Sequence, residues 1–153
     1  MVHKGNLKDI VEAVKSQGDT SYRELQKLLS VLNEFIDKDE IAVVYPRIAL
    51  ADSEYGMDDG FCLELIVFTE DGRILAASVL PEDRFEMVVT NKSEICNMLI
   101  SGSMTESSQE IRPALTINFK DGSKLDLNSE EDANDYWGED YPELIKMIIK
   151  QLR

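Results

Sequence analysis

The side chains with the clearest chemical capacity are carboxylates, since the chain carries 30 Asp and Glu but a single histidine. That residue, His3, lies at the start of the chain, where an inert position is the expectation. Histidine triads, Cys–His dyads and histidine metal centres therefore lack their components. Two carboxylates could act as acid and base, but among so many acids close pairs are expected by chance. We predict that the protein is not an enzyme.

Two acidic segments, residues 52–60 and 130–140, could attract a divalent cation. Neither follows the spacing of an EF-hand loop, because Gly56 occupies the fifth position of the first segment, where Asp or Asn belongs. The phosphate-binding patterns GxGxxG and GxxxxGK[ST] are also missing from the sequence. We therefore predict no cofactor and no dedicated metal site, and weak divalent binding by the acidic loops stays open.

The net charge of −14 limits the partners. A field of that sign repels phosphate backbones and anionic lipid headgroups, which disfavours direct binding to nucleic acid or membranes. A basic protein partner is compatible with it, and so is mimicry of nucleic acid. The start of the sequence lacks the apolar run of a signal peptide, and a cytoplasmic location is the expectation.

One corner of the sequence combines acids with aromatic residues and holds the only tryptophan. Tryptophan and tyrosine on a rim are common hot spots for a protein partner, and neighbouring acids would steer a basic one. The alternative is that Trp137 packs on the sheet and anchors the last helix. The candidate partner-binding residues are Trp137, Tyr136, Tyr141 and Asp140, together with Tyr55 from the first acidic loop.

Helical periodicity marks both ends of the chain. Apolar residues at helical spacing predict helices over residues 6–17 and 21–36, the second capped by Ser21 with Glu24. Their short connection predicts an antiparallel pair over residues 1–40, packed on a main domain of residues 41–153. A final apolar-faced helix follows two further capping-box spacings, Ser129 with Asp132 and Asp140 with Glu143.

Between the helices the period changes to that of strands. Seven short runs are predicted as consecutive strands, with tight turns at Asp71-Gly72 and Asp121-Gly122 and an edge position or bulge at Pro46. The two cysteines, Cys62 and Cys96, lie within such runs and are predicted to be small buried thiols. The runs begin near residues 41, 61, 73, 84, 94, 114 and 124.

The order of these elements resembles the pleckstrin-homology-like domain, in particular its small bacterial versions. The likeness is carried by residues 93–100, by the hairpin at residues 114–127 and by the helix that ends at Arg153. It implies an α+β fold in which a partly open antiparallel barrel over residues 41–153 is closed by the C-terminal helix. A plain antiparallel sheet with helices on one face is the alternative.

The same resemblance bears on function. Many members of that family bind phosphoinositides through basic residues in the loop between the first two strands. The equivalent loop here, residues 51–60, has four acids and no Lys or Arg, so only the family's protein-binding role transfers. We predict a non-enzymatic, cytoplasmic protein-binding module of bacterial or phage origin. The alternatives are an acidic inhibitor that acts by charge mimicry and, third, an enzyme with paired carboxylates.

Overall fold

The computed structural model describes residues 12, 19–50, 61–80, 82–104, 110–133 and 140–153. The predicted helix over residues 6–17 lies outside these ranges except for Glu12, and so does the loop at residues 51–60. The described part is an α+β arrangement of two helices and seven strands, which confirms the predicted class, whereas the N-terminal helical pair stays a prediction. The elements are α1 (Asp19–Phe35), β1 (Ile41–Leu50), β2 (Phe61–Thr69), β3 (Arg73–Leu80), β4 (Arg84–Asn91), β5 (Ile95–Met104), β6 (Ile111–Phe119), β7 (Lys124–Asn128) and α2 (Tyr141–Leu152).

The strands form two antiparallel sheets, one ordered β1-β2-β3-β4 and the other β5-β6-β7. Within each sheet, every strand pairs with the next one along the chain, which is what short turns between alternating segments produce. A 3₁₀ turn at Lys92–Glu94 connects the sheets between β4 and β5. On the opposite side the Arg47 guanidinium joins them, because it donates to the Asp126 carbonyl oxygen and to the Glu64 carboxylate, both at 2.7 Å.

Two of the hairpin turns use glycine where the sequence predicted it. Gly72 and Gly122 both have a φ of +91°, a conformation that costs a residue with a Cβ atom about 1–2 kcal/mol. The turn before β4 reaches the same region without glycine, since φ is 65° at Glu82 and 58° at Asp83. That turn is therefore strained.

The core lies between the sheets and under the two helices. α1 packs on β2 and β3, while α2 contacts β1, β6 and β7. The buried residues of α1 recur at the spacing that the sequence predicted for an amphipathic helix, and those of α2 form a similar face. They are Leu25, Leu28, Leu32 and Ile36 near α1, and Leu144, Ile145, Ile148 and Leu152 in α2.

The predicted capping boxes are not formed. Ser21 lies inside α1, which begins no later than Asp19. Asp140 is the N-cap residue of α2 but makes no capping hydrogen bond with its side chain. Its φ and ψ of −91° and −21° are helical, whereas capping needs an extended N-cap residue. At the other predicted box it is the Asn128 side chain, and not that of Ser129, that accepts a hydrogen bond from a main-chain N–H. The buried Ser129 hydroxyl has no hydrogen-bond partner among the described residues.

Candidate protein-binding surface

The described part of the acidic and aromatic corner is buried. Tyr141 is 0% exposed and Asp140 is 5% exposed. The Tyr141 hydroxyl donates to the Pro46 carbonyl oxygen of β1 at 2.5 Å, and its ring packs edge-on against Tyr45 with centroids 4.9 Å apart. Tyr141 thus attaches the start of α2 to β1.

Tyr45 extends this attachment to the segment after β7. Its hydroxyl donates to the Asp132 carboxylate at 2.5 Å, and the same oxygen of Asp132 accepts from the Asn128 main-chain N–H at 3.0 Å. Burial, followed by the hydrogen bond to Asp132, raises the pKa of Tyr45 above its ordinary value of 10.0. The phenol therefore stays protonated and keeps its place as a donor.

These contacts fix both ends of the segment that contains the only tryptophan. The described residues stop at residue 133 and resume at residue 140. The tyrosine pair holds Asp132, before this segment, and Tyr141, after it, close to β1. Three of the five candidate partner-binding residues, Tyr55, Tyr136 and Trp137, lie outside the described residues. Asp140 and Tyr141 offer a partner almost no surface, and binding at this corner stays a prediction that depends on Tyr136 and Trp137.

Elsewhere in the described ranges, large apolar side chains are exposed, unlike Asp140 and Tyr141 of the corner. Large exposed apolar side chains in the described ranges lie on β4 or β5, or directly beside them. They fall into two groups, one on α1 and β4 and one on β5 and β6. Groups of exposed apolar residues mark interaction sites, whereas singly scattered ones need no explanation. The residues are Phe35, Phe85, Val88, Val89, Leu99, Ile100, Met104 and Ile111.

The most aromatic part of this surface lies where α1 passes β4. The rings of Phe35 and Phe85 have centroids 6.4 Å apart and planes at 47°, within the range for a favourable aromatic pair. Phe35 is 59% exposed and Phe85 is 49% exposed, although both are aromatic. Met87 and Val89 follow Phe85 on the same face of β4, since side chains two residues apart share a face. We call these four residues the Phe35–Phe85 patch.

An ion pair holds β4 against α1 beside the patch. The Lys27 ammonium donates to Asp83 at 2.7 Å and to Glu24 at 3.2 Å. The hydrogen bond from Lys27 holds the pKa of the Asp83 carboxyl below its ordinary value, and the bonds to Asp83 and then Glu24 raise the pKa of Lys27. The ion pair therefore connects the strained turn at Asp83 to α1. This connection positions Phe85.

The surroundings of the patch are acidic. Within three positions of Phe35 or Phe85 the sequence has five acids and two bases. An apolar centre with a charged rim is the common anatomy of a protein interface. The acids are Glu34, Asp37, Glu82, Asp83 and Glu86, and the bases are Lys38 and Arg84.

Sequence reasoning missed this surface for a clear reason. Phe35 continues the apolar period of α1 and was expected to be buried with it. The burial of a strand depends on whether it lies at a sheet edge, which long-range pairing decides. The one available signal was β4 itself, which has apolar residues on both faces. The prediction for Cys96 is wrong for the same reason, because the thiol is free and exposed on the edge strand β5.

The described residues contain no group of three or more His, Cys, Asp or Glu side chains that could hold a metal ion. None of the described helices is long and apolar enough to cross a membrane. Comparison with known protein families, with curated proteins and with solved structures gives no match.

Proposed function

We propose that this protein is a non-enzymatic protein-binding module of bacterial or phage type that acts in the cytoplasm. The observation that carries the proposal is the Phe35–Phe85 patch, in which two aromatic rings are about half exposed within an acidic neighbourhood. Full burial of an exposed phenylalanine contributes roughly 1.5–3 kcal/mol, so a free monomer with two half-exposed rings forgoes about half of that for each ring. Binding a partner recovers that free energy, and the acids favour a basic one.

The proposal includes the pleckstrin-homology-like arrangement. It is supported by the four-stranded and three-stranded sheets and by a C-terminal helix that contacts β1, β6 and β7. In this arrangement α1 is an addition to the domain, and it supplies half of the aromatic pair. The acidic corner with Trp137 and Tyr136 is a second contact region of the same module.

Quantitative affinity capture from an extract of the native cell tests the proposal. The variants are Phe85→Ser, Trp137→Ala and, as the matched control, Val88→Ser, which changes a similarly exposed apolar residue of the same strand on its other face. Loss of a hot-spot aromatic costs about 2 kcal/mol or more. We therefore expect Phe85→Ser to lower capture at least tenfold while Val88→Ser leaves it near the wild-type level.

The contrary results are equally defined. Equal capture of the same proteins by all three variants and by the wild type would refute binding at either region. Loss with Trp137→Ala alone would move the site to the corner. The inhibitor that acts by charge mimicry, favoured by the net charge of −14, predicts instead capture that survives Phe85→Ser and falls steeply with salt.

A further inference from the structure

Strand β4 forms one edge of the four-stranded sheet. It pairs with β3 on one side and with no described strand on the other. Its register with β3 runs without interruption from Arg84 to Asn91. An edge strand of this kind presents main-chain donors and acceptors to a strand that approaches it. β4 also lacks lysine, proline and a bulge, three of the usual devices that block such pairing.

The direction of these main-chain groups follows from the turn that ends the strand. The Lys92 N–H donates to the Gly72 carbonyl oxygen at 2.7 Å, and this pair continues the register in which Arg73 is opposite Asn91. Hydrogen-bonded and non-hydrogen-bonded pairs alternate along an antiparallel ladder. Even-numbered residues of β4 therefore bond to β3, and odd-numbered residues direct their N–H and C=O groups to the free edge. Those with apolar side chains are Phe85, Met87 and Val89.

The same three residues are the β4 members of the Phe35–Phe85 patch. Phe85 and Val89 are each about half exposed, and the Phe85 ring lies 6.4 Å from that of Phe35. Residues directly opposite each other on paired strands have their side chains on the same face of the sheet. A strand added at this edge would therefore place every second side chain over the patch. Main chain and side chains together define one site for an extended segment.

Charge indicates the chemistry of the remaining side chains of such a segment. They would lie on the other face of β4, where Glu86 is exposed, and opposite charges on neighbouring strands attract. Asp83 is already paired with Lys27, but the other acids beside the patch outnumber the bases by four to two. The acids are Glu34, Asp37, Glu82 and Glu86, and the bases are Lys38 and Arg84. A second copy of this chain fits the edge poorly, because two chains of net charge −14 repel each other.

We propose that β4 accepts an extended segment of a basic partner protein as a fifth strand, in which alternate apolar side chains cover the Phe35–Phe85 patch and a lysine or arginine between them faces Glu86. The strand addition rests on the proposed function, because it names how the partner occupies that patch. Main-chain hydrogen bonds supply affinity in this mode of recognition, and alternate side chains supply specificity. The ion pair of Lys27 with Asp83 orders the start of β4 before the partner arrives.

Binding of a synthetic probe to the full chain tests the strand addition. The probe is a peptide of about nine alternating valine and lysine residues with blocked ends, long enough to span β4 at about 3.4 Å per residue. A matched peptide has glutamate in place of lysine. Fluorescence anisotropy of the dye-labelled peptides gives the dissociation constants. In low salt we expect saturable binding of the lysine peptide and at least fivefold weaker binding of the glutamate peptide, because the acids beside the patch repel it.

Two substitutions of Val89 separate main-chain pairing from side-chain contact. Val89→Thr reduces the apolar contact and keeps the outward N–H, whereas Val89→Pro removes that N–H as well. Proline is tolerated on an edge strand where its nitrogen faces solvent, and circular dichroism verifies folding. We expect Val89→Pro to bind the lysine peptide at least tenfold more weakly than Val89→Thr. Equal affinity of the two variants would overturn the strand addition.

Amide hydrogen exchange of the wild type supplies a readout that needs no variant. With the lysine peptide bound, the amides of Phe85, Met87 and Val89 should exchange at least tenfold more slowly. Those of Glu86 and Val88, which already bond to β3, should change little. Unchanged exchange at the three odd-numbered amides, or no binding of the peptide at about 1 mM, would also overturn the proposal.

Capture from the native cell extract distinguishes this failure from failure of the proposed function. Capture that is lost with Phe85→Ser but equal for Val89→Pro and Val89→Thr would leave the protein-binding function in place and refute the added strand. Capture that Phe85→Ser leaves unchanged would refute binding at the patch, and the added strand with it.

Discussion

Removing the hydroxyl of Tyr45 should lower stability more than removing that of Tyr141. Tyr45→Phe deletes a donor to the Asp132 carboxylate at 2.5 Å, and hydrogen bonds to charged groups contribute about 1.5–3 kcal/mol. We expect a loss near 2 kcal/mol, because Asp132 keeps the bond from the Asn128 N–H. Tyr141→Phe deletes a donor to the neutral Pro46 carbonyl and should cost about 1 kcal/mol.

Alkaline pH gives the same pair of variants a sharper test. Because the pKa of Tyr45 is raised in the folded chain, the unfolded state releases this proton near pH 10 while the folded state keeps it. The unfolded state then binds fewer protons, so the free energy of unfolding falls as pH rises. Tyr45 should contribute a fall of about 1.4 kcal/mol per pH unit above pH 10, and Tyr45→Phe should lose that contribution.

Urea unfolding followed by far-ultraviolet circular dichroism at pH 8 and pH 11 measures both effects. The difference in stability between wild type and Tyr45→Phe should shrink at the higher pH. Tyr141→Phe serves as the control for removing a buried hydroxyl next to the same ring. If Tyr45→Phe costs less than Tyr141→Phe at pH 8, or if the difference is the same at both pH values, the reasoning about the buried phenol and Asp132 is wrong.

Four further substitutions test the fold. Ile148→Asp buries a charge under α2 and should abolish the cooperative thermal transition; an unchanged melting temperature would contradict the packing of α2. Gly122→Ala should cost about 1 kcal/mol from its positive φ alone, whereas Gly102→Ala should cost about 3 kcal/mol in urea unfolding, because a Cβ atom would overlap the Arg112 carbonyl oxygen. Glu82→Gly should stabilise the chain by about 0.5–1 kcal/mol by relieving its φ of 65°, and a destabilised variant would refute that source of strain.

The strands were predicted well because the residue patterns that define a strand lie within the segment itself. Alternation from residue to residue and the Asp-Gly pairs at 71–72 and 121–122 locate strands and tight turns without reference to the rest of the chain. The helix at Tyr141–Leu152 was equally accessible, since an apolar face at helical spacing is a property of the segment itself. Element order and the α+β class follow from the same local patterns.

Sheet edges and helix caps were harder to predict from the sequence. Edges depend on strand pairing, and caps depend on the backbone conformation of the N-cap residue. The alternation of β4 and β5 does not reveal that both strands end a sheet, so the exposure of Phe85 and Cys96 was missed. The spacing of Asp140 and Glu143 suits a capping box, but the chain enters α2 in a helical conformation at Asp140. Tyr141 was a candidate for a partner, and it is buried because its hydroxyl finds the Pro46 carbonyl within the fold.

The central claim is that the exposed aromatic pair binds a protein partner. Its most direct measurement is quantitative capture from the native cell extract by wild type, Phe85→Ser and Val88→Ser, each in low and high salt. We predict that Phe85→Ser loses at least nine-tenths of the captured protein while Val88→Ser and high salt leave most of it. Equal capture by Phe85→Ser and wild type in low salt would contradict the claim.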